Sequence, residues 1–211
     1  MPTVERDAER MRSQIETWLR TQVPEARDLE LSEFRSASGG LSSETYFCRT
    51  TWSEGGATHD KKLVLRVQPD HNQVVPDPSA MFQYRLMKAM GEHSAVPVPK
   101  VWWPEPDGTV IGSPFFFMEE VKGTILLPGA PQPAHPDDEP TAKWGPEELA
   151  TIYDNALVAF ADIHKADVGA GFEFLRWEGE TALDGVLAQV GHWYEWAKRG
   201  RALGVVDVAM Q

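Results

Sequence analysis

The feature that most constrains the fold of this protein is a glycine–serine turn between two segments of strand-like composition. The turn has the sequence Ser38-Gly39-Gly40-Leu41-Ser42-Ser43. A strand pattern follows it over residues 45–52, and a second strand pattern covers residues 62–67 and contains Arg66. Such a turn brings bare backbone N–H groups close to a bound anion, and a cation on the following strand can pair with that anion. The sequence therefore predicts an antiparallel hairpin that forms one side of a phosphate-binding site.

The composition is that of an ordinary globular protein, and it excludes several kinds of partner. The chain has 211 residues, of which 42% are hydrophobic and 25% are charged, and no apolar run approaches the roughly 20 residues that cross a bilayer. The net charge of -12 argues against nucleic acid and membranes as partners, because both need basic patches. We interpret the acidity as an aid to solubility, with a cationic substrate as the alternative. The single cysteine, Cys48, cannot form an internal disulfide, which indicates a cytoplasmic protein.

The first part of the sequence is rich in strand patterns. Before it, the apolar spacing near the N-terminus predicts an amphipathic helix that ends before Pro24. Short strand patterns predominate over residues 25–121, and a helix is predicted over residues 79–90. We expect Asp77 to cap this helix and Gly91 to end it.

The second part of the sequence has helical patterns instead. After a proline-rich loop, Pro146 opens a long helix with one apolar stripe, and another helix is predicted over residues 181–199. Strand-rich sequence followed by helical sequence is typical of an α+β protein with two lobes. The predicted domains are an N-terminal helix (1–24), a strand-rich lobe (25–121) and a helical lobe (122–211).

Six short motifs occur in a defined order along the sequence. They are Ser38-Gly39-Gly40-Leu41-Ser42-Ser43, Val64-Leu65-Arg66, Tyr84-Arg85-Leu86-Met87, Val96-Pro97-Val98-Pro99, Ile111-Gly112-Ser113-Pro114-Phe115-Phe116-Phe117-Met118-Glu119 and Ala161-Asp162-Ile163-His164. In this order they resemble the motifs of the aminoglycoside phosphotransferase and choline kinase-like group, whose fold is protein-kinase-like. The resemblance extends over residues 31–200 and is greatest to the bacterial members known simply as phosphotransferase family proteins.

The resemblance implies an α+β, protein-kinase-like fold. Residues 25–121 would form the nucleotide-binding N-lobe, with an antiparallel sheet and a helix, and residues 122–211 would form a truncated helical C-lobe. It also implies an ATP-dependent transfer of phosphate to a hydroxyl of a small molecule, with ATP and Mg²⁺ as cofactors. In such folds the glycine-rich hairpin, here residues 38–43, covers the phosphates of the nucleotide. The cation on the next strand is Arg66, and Gln83 occupies the helix position where related proteins often have a glutamate. Gln83 can donate or accept a hydrogen bond but supplies no charge.

The continuous apolar run Phe115-Phe116-Phe117-Met118 predicts a buried strand. The segment that follows this strand resembles the hinge that holds adenine in this group. Met118 is expected to flank the base as its gatekeeper. The backbone carbonyl of Glu119 and the backbone N–H of Val121 are expected to meet the polar edge of the base. The alternative is an ordinary strand that leaves a sheet, and the ordered motifs around it favour the hinge.

The catalytic motifs of this group are missing from the sequence. In the family a His-Gly-Asp loop with a following Asn, and then an Ile-Asp-Trp-like strand, supply the base and the metal ligands. The triplet His135-Pro136-Asp137 lacks the Asn and precedes the second-lobe helices, and no His-Gly-Asp loop precedes Asp207. We therefore assign no catalytic and no metal-binding residue in this sequence.

These observations predict the N-terminal fragment of a phosphotransferase, which is inactive alone. The alternative is a non-catalytic module of the same fold that binds nucleotide or a partner protein through the same cleft. The acceptor stays open, and a regulatory or fatty-acid-linked kinase is an alternative to an antibiotic-modifying enzyme. We also expect self-association through apolar surface exposed on the helical lobe.

Overall fold

The computed structural model describes residues 7–37, 44–69, 79–125, 132–133, 144–167, 169, 171–175 and 181–198. Its helices are α1 (Ala8–Gln22), α2 (Ala80–His93), α3 (Pro146–Lys165) and α4 (Ala182–Lys198), with a short 3₁₀ turn at Glu173–Leu175. Its strands are β1 (Arg27–Leu31), β2 (Arg35–Ser36), β3 (Glu44–Glu54), β4 (Ala57–Val67), β5 (Val101–Glu105), β6 (Phe115–Glu119), β7 (Thr124–Ile125) and β8 (Gln132–Pro133).

The first six strands form one antiparallel sheet, as predicted. The sheet has the order β1-β3-β4-β6-β5, the short β2 also pairs with β3, and β7 pairs separately with β8. Strands β3 and β4 form a long hairpin in which Glu54 lies opposite Ala57. Gly55 and Gly56 between them have φ of 59° and 84°. A two-residue type I′ hairpin turn requires positive φ at both of these positions. Strand β4 therefore begins at Ala57 and not at Lys62, because the glycine pair reverses the backbone direction at once.

The hydrophobic core lies between helix α1 and one face of the sheet. Met11, Ile15 and Leu19 of α1 are buried, as their spacing predicts. The sheet residues of this core are Leu29, Leu31, Cys48, Trp52, Leu63, Leu65, Val67, Phe115 and Phe117. Burial raises the pKa of the Cys48 thiol well above its usual range, so this residue acts as a small buried hydrophobe.

Helix α2 packs on the opposite face of the sheet. Tyr84 of α2 meets Phe116 of β6 edge to face, with ring centroids 5.7 Å apart. Because side chains alternate between the two faces of a strand, Phe116 points toward α2 while Phe115 and Phe117 point into the core. The sheet is therefore covered on both faces, which explains why Phe115, Phe116 and Phe117 are all fully buried.

Both ends of α2 differ from the expectation. The helix begins after Ser79, whose Oγ accepts the Phe82 N–H at 3.1 Å. The predicted cap at Asp77 is therefore wrong, because a hydroxyl closer to the helix satisfies the first turn; Asp77 itself lies outside the described residues. The helix also continues through Gly91, where an added Cβ would lie 3.4 Å from Val98. Tertiary packing here overrides the low helix propensity of glycine.

Helix α3 has an apolar stripe that remains exposed. The helix starts at Pro146 as predicted, and the Glu148 carboxylate accepts the Gly145 N–H, which is half of a capping box. None of the residues described in α3 is buried. The exposed large apolar side chains of α3 are Tyr153, Leu157, Val158, Phe160 and Ile163.

The protein divides into two compact units. The first comprises Met1–Val74 with Pro78–Asp167, and the second comprises Val75–Asp77 with Val168–Gln211. The sheet and helices α1, α2 and α3 belong to the first unit, and α4 belongs to the second. Of the helices that the structure describes, none is both long enough and apolar enough to pass through a bilayer.

Candidate functional site

The predicted phosphate-binding cation, Arg66, is held on the α2 face of the sheet by two neutral oxygens. Its Nη1 donates to Oγ1 of Thr45 at 2.9 Å, and its Nη2 donates to Oε1 of Gln83 at 3.0 Å. Thr45 lies directly opposite Arg66 in the β3–β4 pair, and Gln83 lies on the first turns of α2. The guanidinium therefore ties β3, β4 and α2 together at one point.

The local sequence explains why Arg66 points to α2. Alternation along β4 places Leu63, Leu65 and Val67 in the core, so that Val64 and Arg66 face the other way. The start of α2 is anchored beside them, because the Ala80 N–H donates to Oε1 of Gln68 at 3.3 Å. Strand β4 thus positions the side chain of Arg66, and helix α2 positions the side chain of Gln83.

The charge of Arg66 is not neutralised within the described part of the protein. Its hydrogen-bond partners there are a hydroxyl and an amide, and no carboxylate forms an ion pair with it. Burial lowers the pKa of the guanidinium, yet arginine stays protonated at neutral pH. A guanidinium has five N–H donors, so an anion can bind Arg66 without displacing either neutral partner.

The predicted hinge is the end of β6, where the backbone leaves the sheet. Met118 is half-buried and lies between Val64 of β4 and Val101 of β5. After Met118, the Glu119 N–H donates to the Lys100 C=O at 2.8 Å. The next N–H, of Glu120, donates to the Lys62 C=O at 3.2 Å. Val121, with 57% of its surface exposed, follows the last of these contacts.

Arg66, Gln83 and Met118 lie on the same side of the sheet. Residues opposite each other in an antiparallel pair point to one face, and Met118 is opposite Val64, two residues before Arg66. Arg66 and Gln83 are joined by a hydrogen bond. Glu119 follows Met118 and is the last residue of β6. The glycine–serine turn, residues 38–43, lies outside the described residues.

The structure adds three residues to the surroundings of the predicted site residues. Thr45 binds Arg66, and Phe47 and Val64 form a cross-strand apolar pair in which Val64 lies between Phe47 and Met118. Both apolar side chains are buried. The period-2 pattern of these strands was the signal that could have identified them, because it puts Thr45 and Phe47 on one face.

No metal centre is formed by the described residues. Within them, no three His, Cys, Asp or Glu side chains lie close enough to hold an ion. The sequence candidates 135–137 and Asp207 lie outside the described residues. A cavity of about 450 Å³ occurs elsewhere, between the start of α1 and residues 108–112, and none of the predicted site residues line it.

Comparison with a solved structure agrees with the fold. A crystal structure from Ralstonia eutropha JMP134, described as a candidate aminoglycoside phosphotransferase, has a TM-score of 0.57 and 22% sequence identity, and the match covers 94% of this chain and 51% of that protein. This likeness supports the α+β, kinase-like fold that the motifs predict.

Two curated relatives are much longer than this protein. Probable acyl-CoA dehydrogenase IBR3 of Arabidopsis thaliana is 33% identical over 116 residues, which are 55% of this chain and 13% of that protein. Acyl-CoA dehydrogenase family member 10 of Mus musculus is 30% identical over 142 residues, which are 67% of this chain and 11% of that protein. The 211 residues therefore span about half of the structural relative and a small part of these two.

The sequence profile of one family matches most of the protein. The match covers residues 33–208, from β2 and the glycine–serine turn to beyond α4, and the profile is that of the phosphotransferase enzyme family. It includes Arg66, Gln83 and the strand that ends at Glu119. This chain belongs to the phosphotransferase enzyme family.

Proposed function

We propose that this protein binds ATP on the α2 face of its sheet, as the nucleotide-binding part of an O-phosphotransferase. The observation that carries the proposal is the position of Arg66, which is held by Thr45 and Gln83 and has no carboxylate partner among the described residues. A cation that is oriented by neutral groups keeps its full attraction for an anion. Residues 38–43 connect β2 to β3, and we propose that their backbone N–H groups bind the same phosphates.

The base is proposed to bind at the end of β6. Met118, which is half-buried, supplies apolar surface at this end, and Val64 lies beside it on the same face, two residues before Arg66. The backbone of Glu119 and Val121 supplies the polar contacts to the adenine edge. Mg²⁺ is the usual partner of ATP in this family, and no group of described residues fits it. The proposal therefore covers the nucleotide alone.

The first test is nucleotide binding compared with turnover. We expect titration calorimetry on the 211-residue protein to show saturable binding of ATP, and a coupled assay to show turnover far below the ~1–100 s⁻¹ of active kinases. The reason is that the sequence contains the proposed phosphate-binding cation and the proposed hinge but no His-Gly-Asp loop. Absence of nucleotide binding would contradict the proposed function. ATP consumption that Arg66→Ala abolishes would contradict the expected inactivity.

The acceptor is proposed to be a hydroxyl group on an acyl compound. Both curated relatives contain this region within a much longer protein that is named as an acyl-CoA dehydrogenase. Two activities on one polypeptide commonly serve related substrates, which favours the fatty-acid-linked alternative over an antibiotic. Binding of a hydroxyacyl-CoA in the presence of ADP, and none of an aminoglycoside, is the expected result in the same calorimeter.

We further propose that the apolar stripe of α3 mediates self-association. Leu157, with 67% of its surface exposed, lies in a row of exposed apolar residues on this helix, and burial of such a patch is favourable. We expect sedimentation velocity to show an association that grows with protein concentration and that Leu157→Glu weakens. Asn155→Glu adds the same charge to another side of α3 and should leave it unchanged. A monodisperse monomer at all concentrations would contradict the proposal.

A further inference from the structure

We propose, on the basis of the nucleotide site proposed above, that the Glu119 carboxylate is a positioning group for adenine specificity. It takes up a backbone N–H that would otherwise bind the Glu119 backbone carbonyl. The carbonyl then stays available to the exocyclic 6-amino group of adenine. Glu119 would thus contribute to base selection through its carboxylate, although only its backbone would touch the base.

The geometry at the end of β6 departs from a regular antiparallel pair. Lys100 and Glu119 continue the β5–β6 register, in which Val101 lies opposite Met118. The Glu119 N–H donates to the Lys100 C=O at 2.8 Å, which identifies them as a hydrogen-bonded pair. In such a pair each residue normally donates to the backbone carbonyl of the other. Here the Lys100 N–H donates to Oε2 of Glu119 instead, at 3.3 Å.

Because the Lys100 N–H donates to the carboxylate, the backbone carbonyl of Glu119 has no donor in the described structure. No backbone hydrogen bond to it occurs among the described residues. The N–H and C=O of alternate residues along an extended backbone point to the same edge. Because the Glu120 N–H binds Lys62 on the β4 side, the polar groups of Glu119 and Val121 belong to the other edge. The Val121 N–H likewise has no partner among the described residues.

The acceptor–donor pattern of this edge matches adenine. A carbonyl followed by an N–H complements the 6-amino donor and the ring N1 acceptor of that base, and a 6-oxo purine presents the opposite pattern. A site with a buried hydrogen bond to an amino group discriminates strongly against an analogue that lacks it. If the Lys100 N–H instead bound the Glu119 carbonyl, it would compete with the 6-amino group of adenine for that acceptor. The 6-amino group would then contribute less to the binding free energy.

The test compares ATP with purine riboside 5′-triphosphate, which lacks only the 6-amino group. Calorimetry on the full 211-residue protein should show that the wild type prefers ATP and that Glu119→Ala reduces this preference by about tenfold, the value of one hydrogen bond. Glu119→Gln keeps an amide oxygen for the Lys100 N–H and should keep the preference. Glu30→Ala, at an exposed glutamate of β1, is the matched control.

The ratio of the two affinities is measured on one sample, so partial unfolding of a variant does not change it. A reduced ratio in Glu119→Ala with a normal ratio in Glu119→Gln supports the proposal. An unchanged ratio in Glu119→Ala, or an equal loss in both variants, overturns it while the nucleotide site stands. If the wild type binds neither triphosphate, the proposed function itself fails, and with it the role of Glu119.

Discussion

Replacing Arg66 with alanine is expected to weaken ATP binding by roughly 10- to 100-fold, about 1.5–3 kcal/mol, the usual value of hydrogen bonds to a charged group. Arg66 is oriented by Thr45 and Gln83 at 2.9 and 3.0 Å. Because neither partner is charged, most of the electrostatic attraction of the Arg66 guanidinium is available to the phosphates. Isothermal titration with ATP measures the loss, and titration with adenosine should show little change.

Two further variants separate the role of Arg66 from a general effect of charge. Arg49→Ala removes an arginine from β3 that pairs with Asp60 on the exposed surface, and it should leave ATP affinity unchanged. Arg66→Lys keeps the charge but loses the planar fork that contacts both neutral partners, so an intermediate affinity is expected. Equal affinities for Arg66→Ala and Arg49→Ala would show that Arg66 does not bind the phosphates.

Replacing Phe117 with alanine is expected to lower the free energy of unfolding by about 3–5 kcal/mol. Phe117 is fully buried in the core beneath α1, and it meets Trp103 and Phe115 edge to face, with centroids 5.8 and 6.1 Å away. Truncation removes the transfer free energy of the ring and leaves a cavity that a close-packed sheet cannot fill. Urea unfolding followed by tryptophan fluorescence measures the change.

Phe82→Ala is the matched control for this loss. Phe82 lies on α2 with 44% of its surface exposed, so its removal should cost no more than ~1 kcal/mol. A loss for Phe117→Ala as small as the loss for Phe82→Ala would mean that Phe117 does not pack in the core under α1.

The sheet and its core were predictable because short-range patterns determine them. The run Phe115, Phe116, Phe117 indicated a buried strand, and it is covered by α1 on one face and α2 on the other. The spacing of Met11, Ile15 and Leu19 indicated the buried face of α1. The prediction failed at Asp77, because several polar residues compete to cap one helix and only packing selects among them.

The sequence alone determined the family, because ordered motifs are local properties. It also predicted Arg66 as the cation that we propose to bind phosphate. Only the tertiary structure decided what surrounds that cation. The contact of Arg66 with Thr45 and Gln83, and the capture of the Lys100 N–H by Glu119, join residues that are far apart in the sequence. Such contacts depend on strand register and helix placement, which the packing of the whole sheet sets.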